Sequence, residues 1–290
     1  MRVTRTGSGG PPLVFVHGLA CDGTDWQAQV DWFETRTTVV VCELPGHGSS
    51  TAAPEDCTVE AYGAAVARAM TELSLPPAIL VGHSMGCRVA LQAYRVQPDA
   101  VVGLVLVDGS RIADGDPAAA EQAMSDELAG DGYGQFMKRF FESMFVPSSD
   151  PVLANRIVDR GVGFPAPSGR TLLTSLAGWD AGEVVSALDS VRVPLLAIQC
   201  TTLDAARERV SLESGQSSPW VDLVLAHVSQ ATAALLPGCG HFPQIERAAE
   251  VTALIADFCD AIQRHRWRLS SPPSEDRITD LFTVITAAPQ

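Results

Sequence analysis

The residues with the clearest chemical meaning are Gly82-His83-Ser84-Met85-Gly86. The apolar run Ile79-Leu80-Val81 precedes them, and a helical pattern from Met85 to Gln97 follows, stopped by Pro98. A strand that turns abruptly into a helix forces its apex residue into strained dihedrals. The neighbours two positions away must then be small, as Gly82 and Gly86 are. The Ser84 hydroxyl would stand at a helix N-terminus, where backbone N–H groups and the helix dipole favour negative charge. The competing reading is a glycine-rich turn that holds a serine by chance; the strand before and the helix after weigh against it. The pattern predicts Ser84 as a nucleophile.

A serine hydroxyl needs a base. The chain has six histidines: His17, His47, His83, His227, His241 and His265. In this arrangement the base comes last, on the loop after the final strand. His241 fits, in Pro237-Gly238-Cys239-Gly240-His241-Phe242-Pro243, where glycines and prolines hold a loop open. His83 lies inside the turn and is expected to point away; His17 and His47 read as structural. Attack on a carbonyl creates an oxyanion that two backbone donors should meet. One is the N–H of Met85. The other is assigned to Leu19, in His17-Gly18-Leu19 after the run Leu13 to Val16, with Gly18 allowing close backbone approach.

Short β-rich runs alternate with helical stretches along the first half, which predicts an α/β fold with a mostly parallel sheet and helices on both faces. Expected strands are Val3 to Thr6, Leu13 to Val16, Thr37 to Glu43, Ala78 to Val81, Val102 to Val107, Pro194 to Gln199 and Ala231 to Leu236. Helical spacing covers Glu60 to Leu73, Met85 to Gln97 and Glu246 to His265. Between Gly109 and about Val191 no strand is evident. Helical pieces there (Ala118 to Leu128, Tyr133 to Phe145, Pro151 to Arg160) are broken by Pro and Gly. The expected organisation is a core of residues 1–110 and 190–265, an inserted helical cap of 111–189, and an unassigned tail of 266–290. The cap carries Tyr133, Phe136, Met137, Phe140, Phe141, Met144 and Phe145 at near-helical spacing. Such a stripe either lines an apolar pocket or packs the cap; the sequence leaves both open.

The formal net charge of −14 disfavours nucleic-acid binding and docking to anionic membrane. Seven scattered cysteines without a C-x-x-C pair argue against a disulfide framework or a zinc site. No H-E-x-x-H spacing appears and no G-x-G-x-x-G follows a strand, so neither a metal nor a cofactor is expected. The N-terminal residues lack the apolar run of a secretory signal, and no 18-residue apolar stretch occurs, so a cytoplasmic location is the default expectation.

Together, His17-Gly18 with Trp26 downstream, Leu44-Pro45-Gly46-His47-Gly48-Ser49-Ser50, Gly82-His83-Ser84-Met85-Gly86 and Gly240-His241-Phe242-Pro243 resemble the α/β-hydrolase superfamily over about Val3 to Ala261. Its cap-bearing esterases, lactonases, C–C hydrolases and cofactor-free haloperoxidases are the most similar members. The resemblance implies an α/β-hydrolase fold and a third residue, an acid, that orients the imidazole. Most members carry that acid in the loop after the strand at Pro194 to Gln199. Here Leu203 stands at the usual place, with Asp204 one step beyond. Others carry it at the end of the strand after the elbow helix, where Asp108 stands. Asp108 is therefore the first candidate and Asp204 the alternative, with Asp180 and Asp222 behind them.

Serine at position 84 disfavours the dehalogenase and epoxide hydrolase branches, which use aspartate. The resemblance implies hydrolysis of a small carboxylic ester or lactone through an acyl-enzyme. Alternatives with the same triad are C–C hydrolysis, for which Arg139, Arg156, Arg160 and Arg170 could supply polar cap groups, and perhydrolysis. A small-molecule sensor built on the hydrolase pocket is a third reading. The resemblance is compatible with a homodimer.

Overall fold

The computed structural model describes residues 1–130, 132–204 and 209–270. In chain order the elements are β1 (Arg2–Thr6), β2 (Leu13–Val16), α1 (Gln27–Phe33), β3 (Val39–Glu43), α2 (Val59–Glu72), β4 (Ala78–His83), α3 (Met85–Val96) and β5 (Val101–Val107). Then come α4 (Pro117–Gly130), α5 (Tyr133–Glu142), α6 (Pro151–Val162), α7 (Ala166–Gly182) and α8 (Val184–Asp189). The chain closes with β6 (Leu195–Gln199), β7 (Thr201–Leu203), β8 (Arg209–Ser211), α9 (Pro219–His227), β9 (Ala231–Leu235), α10 (Pro243–Glu246) and α11 (Ala248–Ser270).

Seven strands form one sheet in the order β1-β3-β2-β4-β5-β6-β9; only the β1–β3 pairing is antiparallel. Strands β2 and β4 are buried at every position, as expected for parallel strands covered on both faces. Their side chains alternate between two cores. Val14, Val16, Leu80, Leu104 and Leu106 face the side of α2 and α3. Leu13, Phe15, Ile79, Val81, Val105 and Val107 face the side of α1 and α11. This period of two makes each βα loop emerge in a fixed direction. The register sets Val16 opposite Gly82, His83 opposite Val107, and Val107 opposite Ile198. The loops after β2, β4, β5 and β6 therefore leave the same sheet edge side by side. In open α/β sheets that carboxyl edge is where ligands bind.

The expected mostly parallel α/β fold is the one observed. The strand expected from Thr37 begins at Val39, because Thr37 turns its hydroxyl to Gly9 O and Pro11 O instead of extending the ladder. The small β7–β8 hairpin and α9 were not anticipated. Strands of three residues are too short to show a period, and the expected elements leave the stretch between Gln199 and Ala231, where α9 lies, unassigned. The closing helix runs through residues 266–270 and so takes in the start of the expected tail; 271–290 lie outside the described residues.

Between β5 and β6 the chain runs through α4 to α8 with no strand among its described residues. The aromatic stripe packs this region internally. Tyr133, Phe136, Met137, Phe141 and Met144 are all buried. Phe141 fills the space where Gly161 of α6 lacks a side chain, and Tyr133 does the same over Gly169 of α7. The packing reading of the stripe is the one these contacts support.

A buried ion pair joins α7 to the elbow helix. Arg88 Nε and Nη2 donate to Asp180 Oδ1 and Oδ2 at 2.8 and 2.6 Å, with side chains 3% and 0% exposed. Asp180 Oδ2 also accepts from Ile112 N, and Arg88 reaches Ser110 O and Ser84 O. Removing one partner leaves a buried charge uncompensated, which costs about 3–5 kcal/mol. Asp180→Ala should lower the unfolding free energy by that amount in urea denaturation. Glu183→Ala, which breaks the exposed pair with Arg95 (2.8 Å), should cost no more than about 1 kcal/mol.

Candidate active site

The turn from β4 into α3 is as tight as its sequence suggests. Ser84 sits at φ 54° and ψ −116°, a strained conformation for a non-glycine residue. Three glycines make room for it. A Cβ on Gly82 would overlap the Gly86 carbonyl, and one on Gly86 would overlap the Val16 carbonyl. A Cβ on Gly18 would stand 3.3 Å from Ser84 Cβ, so the loop after β2 presses against the apex itself. Ser84 N–H donates to Val107 O at 2.9 Å, which fastens the turn to the end of β5.

The next residue along β5 is Asp108, also at positive φ (46°) and fully buried. Its N–H donates to Ile198 O at 2.7 Å. Its carboxylate is saturated: Oδ1 accepts from Cys200 N (2.7 Å) and Thr201 N (2.8 Å), and Oδ2 accepts from Thr201 Oγ1 (2.5 Å). Oδ2 also receives His241 Nδ1–H at 2.6 Å. The other ring nitrogen, Nε2, lies 2.8 Å from Ser84 Oγ. With Asp108 accepting at Nδ1, Nε2 is free to accept from the serine hydroxyl. Ser84, His241 and Asp108 thus form one continuous hydrogen-bonded chain. Asp204 is exposed beyond the end of β7. Asp180 is committed to Arg88, and Asp222 accepts from Ser217 Oγ at 2.7 Å.

The base loop is held from three sides. His241 N–H donates to Met144 O, in the segment after α5, at 2.8 Å. Glu246 Oε1 accepts from Phe242 N at 3.3 Å, while Oε2 accepts from Ser149 Oγ at 2.6 Å. His83 Nε2–H donates to His241 O at 2.7 Å. The expectation that His83 points away holds for the serine but misses this role: the ring is buried and fixes the backbone of the other histidine. Burial, with His241 alongside, depresses His83 to about 3, so it is a neutral Nε2–H donor. The sequence offered no signal for Met144 or Thr201, which act through a backbone carbonyl and a short hydroxyl.

Leu19 and Met85 are both buried. The Met85 N–H opens α3 and has no carbonyl one turn earlier to bond. Among the described residues the Leu19 N–H has no acceptor either. Arg160 of α6 steadies the loop after Leu19, donating to Asp25 at 2.9 and 2.6 Å and to Asp22 at 3.1 Å. A cleft of about 580 Å³ adjoins Cys239 and Glu246 but is not lined by Ser84.

The sequence pattern of the Alpha/beta hydrolase family matches residues 13–254. The chain belongs to that family. This hydrolase is 30% identical over 282 residues to the pimeloyl-[acyl-carrier protein] methyl ester esterase of Stenotrophomonas maltophilia, covering 90% of the chain and 97% of that relative. Two other curated relatives, 36% and 31% identical over 107 and 100 residues, are matched over only 29% and 38% of their own length. Among solved structures, a thermophilic esterase from Thermogutta terrifontis superposes with TM-score 0.74 at 22% identity, covering 90% of the hydrolase and 93% of that chain. The enol-lactonase of Burkholderia xenovorans LB400 gives 0.70 at 19%, covering 89% and 95%. Such likenesses show the shared fold. Among the described residues no helix of the hydrolase is long and apolar enough to cross a membrane.

Burial, reinforced by the cations Arg209 and Arg88, holds the His241 imidazole well below its ordinary value of 6.5. Burial pushes the Asp108 carboxyl up, against the pull of Arg209 and the Thr201 and Cys200 donors. A group whose protonation is disfavoured takes up its proton only at lower pH. In an NMR titration the His241 ring should stay neutral through pH 6.5 and protonate below it. A midpoint at or above 6.5 would contradict the environment described.

Proposed function

We propose that this hydrolase cleaves a carboxylic ester or lactone through an acyl-enzyme on Ser84. The observation that carries the reading is the unbroken chain from Ser84 Oγ through His241 to Asp108. His241 Nε2 takes the serine proton as Oγ attacks the substrate carbonyl. The N–H groups of Met85 and Leu19 receive the oxyanion. Asp108 holds the ring in the reactive tautomer and stabilises the imidazolium that forms. His241 then protonates the departing alcohol. In the second half, His241 removes a proton from water, the hydroxide attacks the acyl carbon, and Ser84 leaves with that proton. A lactone follows the same steps, with its alcohol retained in the acid product.

The esterase and enol-lactonase named among the similar proteins support this substrate class. C–C hydrolysis would need free cations to hold a dienol carboxylate. Arg160 is occupied by Asp22 and Asp25, and Arg170 donates to Leu128 O at 3.0 Å and covers the Tyr133 ring. Two of the four cap arginines that could fill that role are thereby committed elsewhere.

A p-nitrophenyl ester series checks the proposal. Ser84→Ala should lose at least ~10³-fold in kcat, the scale of removing a triad member; retained turnover would sink the assignment. Asp108→Asn should cost roughly 10³–10⁴-fold by fixing the wrong imidazole tautomer. Asp204→Asn should stay within about threefold, as a surface change does. The reverse order would move the acid to β7.

A further inference from the structure

The mechanism above leaves the buried cation Arg209 unused. Arg209, on β8, has a side chain only 6% exposed and places Nη1 3.7 Å from Asp108 Oδ2. The same Nη1 donates to Thr201 Oγ1 at 2.7 Å. The Thr201 hydroxyl in turn donates a hydrogen bond to Asp108 Oδ2, the oxygen that also faces His241. Nη2 reaches Ser110 Oγ at 3.4 Å. A guanidinium stays protonated even when buried. Among the described residues Asp108 is the one carboxylate within 4 Å of it.

Other groups face the His241–Asp108 pair. Arg88 and Cys87 come from α3 and His83 from β4. Cys200, Cys239 and Glu246 come from the segments after β6 and β9. Arg88 has its own carboxylate in Asp180, at 2.6 Å. His83 is neutral; the Cys87 thiol is held protonated by burial, and the Cys200 thiol by its contact with Cys239 and by burial. Glu246 spends its carboxylate on Phe242 N and Ser149. Among the described residues Arg209 is the cation left to act on Asp108.

We propose that Arg209 is a positioning residue which, acting through Thr201 on Asp108, sets how readily His241 takes up the Ser84 proton. The inference rests on Ser84, His241 and Asp108 serving as proposed. A bare carboxylate beside an imidazole raises its affinity for a proton; a cation beyond that carboxylate offsets the effect. His241 is then a weaker base and stays deprotonated further into acid. The β7–β8 hairpin lies in the region that supplies the acid in most members that the sequence resembles. Here that region supplies a cation to an acid carried by β5.

The test is the pH dependence of kcat/KM on p-nitrophenyl acetate for wild type, Arg209→Met and Arg209→Lys. Removing the cation makes His241 more basic, so the acid limb should move up by roughly one pH unit, the low end for loss of a charge at this range. At a pH on the wild-type limb, Arg209→Met then falls about tenfold further below its own plateau than wild type does. Arg209→Lys should return the limb toward wild type. Simple loosening of the hairpin would lower the plateau without moving the midpoint. An unmoved or lowered midpoint in folded Arg209→Met overturns the proposal. If that variant does not fold, Thr201→Val cuts the relay and should move the limb up by a smaller amount; no movement counts against it equally. The His241 ring titrated by NMR in Ser84→Ala, with and without Arg209→Met, reads the same shift without turnover. Persistent turnover in Ser84→Ala would instead strike at the triad, leaving the ring titration to decide the role of Arg209.

Discussion

Everything at the carboxyl edge of this sheet follows from how closely three backbones approach one another. Gly82 leaves space for the Gly86 carbonyl, Gly86 for the Val16 carbonyl, and Gly18 for Ser84 itself. With side chains at those positions, α3 could not start directly above β4, and the serine could not be held at φ 54°. The strain is sustained by parallel neighbours on both sides, to which Ser84 N–H and Asp108 N–H are tied. Ser84, Asp108 and the N–H groups of Leu19 and Met85, which find no acceptor among the described residues, are thereby set within one small region by main-chain geometry, before any long side chain is involved.

The residues legible in the sequence are those whose chemistry leaves a local pattern. Ser84 is marked by flanking glycines between a strand and a helix, and His241 by its place after the last strand. Asp108 rests on resemblance, with Asp204 beside it, because spacing does not reveal which of two loops faces His241. The partners that complete the site were not legible. Thr201 and Arg209 belong to strands of three residues with no readable period. Met144 contributes a carbonyl, which every residue possesses. His83 was visible as a residue but not in its role, since its contact is to the backbone of His241 and no pattern encodes that pairing. The aromatic stripe was ambiguous for the opposite reason: a docked helix and a pocket wall need the same spacing, and only the fit of Phe141 over Gly161 and Tyr133 over Gly169 separates them.

The inserted helices are not an independent lid. Arg160 grips the loop beyond Leu19, Asp180 binds the helix that starts at the elbow, and the Met144–Ser149 segment bonds the loop of His241. Each part of the candidate site has one anchor in residues 111–189. Two of these anchors are ion pairs at least partly withdrawn from water, whose main effect is to define a single arrangement and not to add much net stability. The insertion is therefore part of the scaffold that holds the turn at Ser84, the loop of His241 and the loop after Leu19.

The sheet order β4-β5-β6-β9 also means that the pieces of the site are synthesised far apart in time. Ser84 and Asp108 leave the ribosome together on adjacent strands, with the insertion still to come. His241 follows some 130 residues later, on the loop beyond the edge strand, and its backbone must then find Met144 O and His83 Nε2 already in place. Until that last loop docks, Ser84 lacks the imidazole contact that the complete fold gives it. If Ser84 acts as proposed, its reactivity is withheld from the growing chain until the far edge of the sheet has docked.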